Sequence, residues 1–572
     1  MNVMAVPAKN AKALRQALNE KTAKSFGIAV GSLIALFILS YWTRHFFYRY
    51  NDGKRSLVTS ALSWLSRRIR SCLSKRLFKQ TSLGRVLLYT IFWGINIIVS
   101  CTSVDLTILV NVAKHQGWVA LCNLAFVIFL SLKNTPLAIL SATSYETLMP
   151  LHKTAGYTCI VASLVHAIVY LNAWAQANML HEMLEPTQIA GIMGASAMVL
   201  IGISTLPYIR RQRYEVFYVV HATLSAFILI VVGLHRPNVS KRALIITLFA
   251  ASLTFTDRAI RLFKFACNFM GNRATLTALP NGGTRVTLRQ SSKAVPGSHA
   301  FLWLPAIRLV ETHPFTLVST DPVEFVVHSR DGFTSELHQH AKTFPGKALR
   351  CSLNAGYGTL PNFKTYNSIL LIAGGSGASF TFAVALDLSR NPGPCPSDSI
   401  TFVWVVRDQA SLSWFHAELR ELHLDPRIKI IIHISNKVES STMITLPGYS
   451  EKASPVITEE SSQTSLQIVA PGDPEKAIEI DQTATLKNAA DPEKVTGYTV
   501  GEIPGSDIET LPGRPNIPAL MESLNDNCAS TKRVIVGACG PEGLLEMVKS
   551  SESRCIRPDG PSFTLHTEGF GW

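Results

Sequence analysis

Six stretches of this sequence, 25–43, 86–104, 115–132, 154–181, 186–209 and 216–235, contain no Asp, Glu, Lys or Arg, and each holds at least 18 residues. A helix needs about that length to cross ~30 Å of hydrocarbon at ~1.5 Å per residue. A seventh run, 243–256, has 14 residues and reaches further only by taking in Asp257 and Arg258. It is also read as a span. No run after residue 264 qualifies, so the predicted spans occupy the first half of the chain. Charged residues make up 16% of the whole, against roughly 25% in soluble domains, which excludes a purely soluble enzyme. The ten Cys nowhere form CxxC, which argues against a zinc site or a disulfide scaffold.

The loops orient the bundle. Arg210, Arg211 and Arg213 lie between the fifth and sixth spans, Arg258, Arg261 and Lys264 follow the seventh, and 44–80 holds ten Lys/Arg. The positive-inside bias puts these loops, and with them the C-terminal half, in the cytosol. The first 24 residues carry five Lys/Arg yet fall outside, and the larger basic loop is expected to prevail. The first span is read as retained rather than as a cleaved leader.

From residue 273 the pattern changes to short alternating strands, Ala274–Ala278, Thr284–Arg289, His299–Leu304, Val323–His328 and Lys347–Asn354, with turns such as Pro280-Asn281-Gly282-Gly283. This predicts a small barrel. Strands at Ser368–Ile372, Ile400–Val406, Ile428–Ile434 and Arg533–Val536 then alternate with helical stretches, as in a parallel α/β domain. Residues 437–512 interrupt it with 13 Asp/Glu, 5 Lys/Arg and no Phe or Trp. Such a stretch buries too little to offset its ordering entropy, so it is read as a disordered acidic insertion with an unknown partner. The predicted fold is multidomain. An N-terminal span and basic segment occupies 1–80, an α-helical transmembrane bundle 81–265, a β-barrel 270–365 and an α/β nucleotide domain 366–572. The net charge of +15 suits nucleic acid or cytoplasmic collars. The collars account for it, and no nucleic-acid partner is expected.

Four histidines give the sharpest signal. His152 and His166 lie 14 residues apart on the fourth span, and His221 and His235 lie 14 apart on the sixth. Fourteen residues advance a helix by ~21 Å and nearly four turns, so each pair shares one face. The intervening span makes the two helices parallel. His152 is therefore expected opposite His221 at the cytoplasmic level, and His166 opposite His235 at the outer level. Two b-type haems with paired axial imidazoles fit that frame. A single membrane histidine is more often a hydrogen-bonding partner of a neighbouring helix, but two equal spacings on parallel helices weigh against chance.

Leu151-His152-Lys153-Thr154-Ala155-Gly156-Tyr157 together with the second pair resembles the ferric reductase and NADPH oxidase superfamily of flavocytochromes b. The extra N-terminal span and equal histidine spacing look more like its fungal ferric reductases. The resemblance implies a ferredoxin reductase-like module after the bundle. His313-Pro314-Phe315-Thr316 resembles the family's flavin motif, and Gly332-Phe333-Thr334 the segment whose amides hold the FAD pyrophosphate. Gly356-Tyr357-Gly358 looks like the family's Gly-Pro-Tyr-Gly, with Ala355-Gly356 in place of Gly-Pro.

Gly374-Gly375-Ser376-Gly377, between a buried strand and a helix, lets the backbone approach a pyrophosphate and resembles the NADPH turn. Arg407 after the next strand suits a 2′-phosphate better than a ribose hydroxyl, and Arg514 in Gly513-Arg514-Pro515-Asn516 offers a second cation. Cys539-Gly540-Pro541 resembles the family's nicotinamide-side motif, and Trp572, with Phe570 second, its terminal flavin-stacking aromatic.

The resemblance implies electron transfer from cytosolic NADPH through FAD and two haems to an extracytoplasmic ferric or cupric chelate, in the plasma or a vacuolar membrane. The alternatives are a superoxide-producing NADPH oxidase and a redox-degenerate membrane scaffold. Asp105, at the outer end of the second span, is an ionisable candidate for attracting metal near the exit, with pairing to a neighbouring helix or interfacial water the plainer reading.

Overall fold

The computed structural model describes residues 8–50, 57–78, 81–236, 240–393, 397–436, 444–445, 507–530, 532–557 and 559–569. Seven helices are long and apolar enough to cross a membrane: α1 (Ala8–Tyr50), α3 (Leu83–Cys101), α4 (Leu109–Ser131), α6 (Tyr145–Gln176), α7 (Pro186–Ser204), α9 (Tyr214–His235) and α10 (Lys241–Phe269). Three shorter helices, α2 (Leu57–Ser74), α5 (Pro136–Ser141) and α8 (Pro207–Gln212), connect them, with a small hairpin, β1 (Arg76–Phe78) and β2 (Thr81–Ser82), before α3. The short seventh run is therefore a full helix. It continues through Asp257 because that carboxylate accepts hydrogen bonds from Asn134 N and Nδ2 at 2.8 and 2.9 Å. Pairing of this kind makes a charge tolerable beside hydrocarbon.

Helix α4 is the pillar of the bundle, with half of its apolar window buried. Its Val119 and Phe126 share one core with Phe92 of α3 and Leu148 of α6. Inside the bundle Asn123 Nδ2 donates to Asn96 Oδ1 at 2.7 Å. The ring of His115 uses both nitrogens, toward Asn19 Oδ1 at 3.1 Å and Val99 O at 2.9 Å. Asp105 sits in the turn after α3 and accepts from the Thr107 amide and hydroxyl at 3.0 and 2.6 Å, which holds its carboxyl below the usual range. It is a local turn-former.

The barrel combines a five-stranded antiparallel sheet, ordered β7-β8-β4-β3-β9, with a three-stranded one, β10-β5-β6. These strands are β3 (Arg273–Leu279), β4 (Gly283–Leu288), β5 (His299–Trp303), β6 (His313–Thr316), β7 (Ser319–Thr320), β8 (Val323–His328), β9 (Leu349–Arg350) and β10 (Ser352–Tyr357), with α11 (Phe333–Thr343) over one end. Alternation sends Leu276, Val286, Leu302, Phe325 and Leu353 into one core.

The last domain is a seven-stranded sheet, ordered β14-β15-β13-β12-β11-β16-β17. It contains β11 (Ser368–Gly374), β12 (Ser399–Val406), β13 (Ile428–Ile434), β14 (Ile444–Thr445), β15 (Asp507–Pro512), β16 (Arg533–Gly540) and β17 (Ser562–Gly569), with α12 (Ala378–Arg390), α13 (His416–His423), α14 (Ile517–Asp526) and α15 (Glu542–Cys555). All pairings are parallel except β14 with β15. The expected insertion at 437–512 is too long at its C-terminal end. Asp507–Pro512 pairs in register with Ile431–Ile434, and its Ile508 and Thr510 are buried. The composition signal failed there because only alternate residues of β15 face the core. Residues 446–506 lie outside the described residues.

Barrel and nucleotide domain lock through Arg285. Its guanidinium donates to Glu324 Oε2 at 2.7 Å, Glu418 Oε1 at 2.8 Å and Trp414 O at 2.8 Å. Removing one partner of a buried ion pair costs about 3–5 kcal/mol, so Arg285→Ala is expected to lower the unfolding midpoint of the detergent-solubilised protein by several degrees. An unchanged midpoint in a thermal scan would show that the trio contributes nothing.

Candidate functional site

The four membrane histidines come together in two pairs. His152 and His221 have ring centres 6.3 Å apart, and His166 and His235 have centres 5.9 Å apart. The fixation of each ring is local and specific. His152 Nδ1 lies 3.0 Å from Val127 O and His166 Nδ1 2.7 Å from Ala113 O, both on α4, while His235 Nδ1 lies 2.7 Å from Thr187 O on α7. An Nδ1–H given to a carbonyl leaves Nε2 as the acceptor, the arrangement that metal-binding histidines use. His221 Nδ1 is buried with no hydrogen-bond partner. His115 differs from these four because both of its ring nitrogens are already occupied.

Two imidazoles on one metal at ~2 Å per nitrogen have ring centres roughly 6 Å apart, so both gaps are the right width for a metal held between them. Among the described residues there is no cluster of three or more His, Cys, Asp or Glu side chains suited to a bare ion. The residues therefore fit a metal whose remaining donors come from a macrocycle, as in a haem. Two glycines make the room. A Cβ on Gly117 would come 3.0 Å from His166 Nδ1, and one on Gly191 would come 2.6 Å from His235 Cε1.

From His152 and His221 a cavity of about 1960 Å³ runs toward the barrel and nucleotide domains, past Lys153, Arg210, Arg211, Arg258 and Arg261. It ends at Gly374, Gly375, Ser376, Trp404, Arg407, Gly540 and Pro541. Pockets for one small ligand run to ~1,000 Å³, so this volume suits more than one bound group. Its barrel wall is Asn281, His328 and Arg330. The barrel meets the bundle near its mouth. Lys133 Nζ lies 3.7 Å from the Phe301 ring centre, and His299 Nε2 approaches Glu146 Oε1 at 2.8 Å.

His313-Pro314-Phe315-Thr316 is itself a strand, β6, with all four side chains half-buried. It is not among the walls of the large cavity. The His313 ring stacks on Phe333, the first residue of α11, with centres 4.1 Å apart, so the two segments matched to flavin binding do meet. Burial pulls the His313 pKa down, and Glu311 Oε2 at 3.1 Å from Nε2 opposes the shift. Gly332 precedes α11 with φ +63°, a left-handed turn open to glycine. The Thr334 hydroxyl is already committed, accepting from the Arg330 amide at 2.9 Å. Arg308 crosses this helix start and bonds Glu336, Glu311 and Glu215, the last on α9. Gly356 and Gly358 both have φ +86°, and Ala355-Gly356 sits where the register of β10 against β5 shifts.

The glycine turn of the nucleotide domain is sterically required. Gly374 and Gly377 abut the Cys539-Gly540-Pro541 end of β16: a Cβ on Gly374 would meet Pro541 Cδ at 2.7 Å, and one on Gly377 would overlap the Cys539 carbonyl. Gly375 has φ +55°, and its carbonyl accepts from Trp404 Nε1 at 3.1 Å. Ser376 lies between them on the cavity wall. Cys539 is fully buried, and burial pushes its thiol well above the usual pKa. Arg407 is exposed at the end of β12 and lines the cavity, whereas Arg514 is exposed beyond β15, two strands away, and does not. Phe570 and Trp572 lie outside the described residues.

Sequence reasoning missed Gly117, Gly191, Trp404 and Lys133. Each acts through a distant neighbour, which no local pattern announces.

Three family profiles match the chain in this same order. They are the ferric reductase like transmembrane component over 116–232, an FAD-binding domain over 269–359 and the ferric reductase NAD binding domain over 366–553. A probable cell surface ferric reductase, kap2, of Aspergillus oryzae is 29% identical over 54% of this chain and 45% of its own length. A ferric/cupric reductase transmembrane component of Schizosaccharomyces pombe is 29% identical over 58% of this chain and 67% of its own. One from Saccharomyces cerevisiae is 22% identical over 78% of this chain and 59% of its own.

Proposed function

The chain belongs to the fungal ferric reductase family, and from that premise we propose that it is a plasma-membrane NADPH-dependent metalloreductase. It would move electrons from cytosolic NADPH through FAD and two b-type haems to an extracytoplasmic ferric or cupric chelate. The observation that carries this reading is the double histidine frame, in which three rings are fixed through Nδ1 and each pair leaves a gap of one metal's width. When bound, the flavin converts hydride transfer into single-electron transfer and the haems relay it across the membrane.

The chain's own residues position these groups. His152 with His221 and His166 with His235 would hold the two haem irons through their ring nitrogens. Arg210, Arg211, Arg258 and Arg261 line the cavity beside the inner pair, where they favour carboxylate substituents. His313, Pro314, Phe315 and Thr316, with Gly332 and Gly356, form the flavin-side surface, and Gly374, Gly375, Ser376 and Gly377 let a pyrophosphate approach the start of α12. Cys539, Gly540 and Trp572 are assigned to the nicotinamide and flavin face. Burial raises the Cys539 thiol pKa and keeps it off the cavity wall, so Gly540 and Pro541 form the cavity-facing part of this motif.

Arg407 is the 2′-phosphate partner in this reading. Arg407→Ala is expected to raise the KM for NADPH about tenfold, the loss of one charge-assisted bond, and to leave the KM for NADH nearly unchanged. Equal shifts for both nucleotides would remove Arg407 from that role.

The reading as a whole is tested with washed membranes given NADPH, scoring haem absorbance, ferrous-chelate formation and dismutase-sensitive dye reduction. Haem bands with direct iron reduction are expected. Dye reduction abolished by dismutase, without iron reduction, would make the protein an oxidase, and absence of haem bands would remove both enzymatic readings.

A further inference from the structure

Helix α2 is built inside out. Its Ser63, Ser66, Arg67, Arg70, Ser71 and Ser74 are half-buried, whereas Leu62, Leu65 and Ile69 are 51, 49 and 51% exposed, and Cys72 is exposed with them. The spacing of three, four and three residues puts these four on one stripe. A helix on a water-facing surface does the opposite, because exposed apolar area costs about 25 cal/mol per Å².

The polar edge has its partners. Arg70 Nη2 donates to Phe563 O on β17 at 3.1 Å. The Arg70 charge also attracts the half-buried carboxylate of Glu552 on α15. The end of α2 packs on the start of the α3 span, where a Cβ on Gly84 would lie 3.3 Å from Leu73 Cβ.

The apolar edge has no partner among the described residues, and its setting names one. Helix α2 lies between two spans, α1 and α3, in a stretch, 44–80, with ten Lys/Arg and a single acid, Asp52. Trp64, 40% exposed, flanks the stripe, and Arg68 Cζ sits 5.3 Å from its ring centre. An amphipathic aromatic beside a snorkelling cation is a pattern of the membrane–water interface.

We propose that α2 is an interfacial helix that lays Leu62, Leu65, Ile69 and Cys72 into an anionic cytoplasmic leaflet while its polar edge straps the nucleotide domain to the membrane. Apolar burial and attraction of basic groups to anionic lipid act together in such helices. The inference needs the bundle to span a membrane and does not depend on the electron-transfer reading.

The test uses the full chain in lipid nanodiscs containing phosphatidylserine, with its exposed native cysteines replaced by serine. Spin labels at Leu65→Cys and Ile69→Cys are expected to collide with dissolved oxygen at least threefold more than with a water-soluble nickel chelate. A label at Lys75→Cys is expected to show the reverse. In the Leu65→Glu/Ile69→Glu double variant, β17 amides are expected to exchange about tenfold faster. Nickel access at 65 and 69 equal to that at 75 would overturn the proposal whether or not the chain reduces iron. So would unchanged exchange in the double variant.

Discussion

In a His221→Ala variant, NADPH-dependent reduction of an external ferric chelate is expected to fall at least ~100-fold, while NADPH-driven reduction of a soluble dye on the cytosolic side continues. If His221 holds a haem as proposed, its loss removes that metal's place in the electron path, and the haem absorbance should fall by about half. His221 is the informative member of the quartet because it alone lacks a carbonyl at Nδ1. Its ring is placed by packing, including Phe217 with a centre 5.4 Å away, so the substitution leaves no buried carbonyl without its donor and its effect reports on the ligand. External iron reduction that survives His221→Ala would mean that the ligand assignment is wrong.

The second large effect is expected from a single methyl group. Gly191→Ala places a Cβ 2.6 Å from the His235 ring, inside any permitted contact. The ring cannot swing away without giving up its 2.7 Å bond to Thr187 O. The outer pair should therefore lose its geometry while the inner pair keeps its own. External reduction is expected to drop ten- to a hundredfold, with the inner haem signal retained. Gly94→Ala is the matched control: nothing lies within 4 Å of its Cβ, and alanine is the better helix former by ~1 kcal/mol. A Gly191→Ala variant that behaves like Gly94→Ala would show that the His235 ring has slack the geometry does not suggest.

These two residues also mark what was legible in the sequence. The histidines announce themselves because a spacing of 14 on two parallel helices is a one-dimensional pattern with a three-dimensional meaning. Gly117 and Gly191 do not, because their role lies in which helix crosses opposite them. The seven spans, the barrel strands and the glycine turn were legible for the same reason as the histidines, since each rests on local periodicity or a local turn. Strand β15 was hidden because Asp507 and Glu509 match the acidic stretch before it in composition. The His313–Thr316 motif was legible as a motif but not as a strand, since pairing with β5 is a property of the partner. The Arg285 trio and the Trp404 bond to Gly375 join segments more than twenty residues apart, and no window on the sequence contains both ends.

Helix α10 runs unbroken from Lys241 to Phe269, and only three residues separate it from β3. Ser352 Oγ donates to Phe265 O and Asn268 Nδ2 to Leu353 O across the junction, at 2.7 Å each. The barrel is thus a rigid extension of the last span, and the distance from its wall to the inner histidines is set by a count of residues. One residue inserted into the cytoplasmic half of α10 would advance the barrel ~1.5 Å and turn it ~100°. The helix acts as a ruler and a key together, and of the two the angle is the less forgiving.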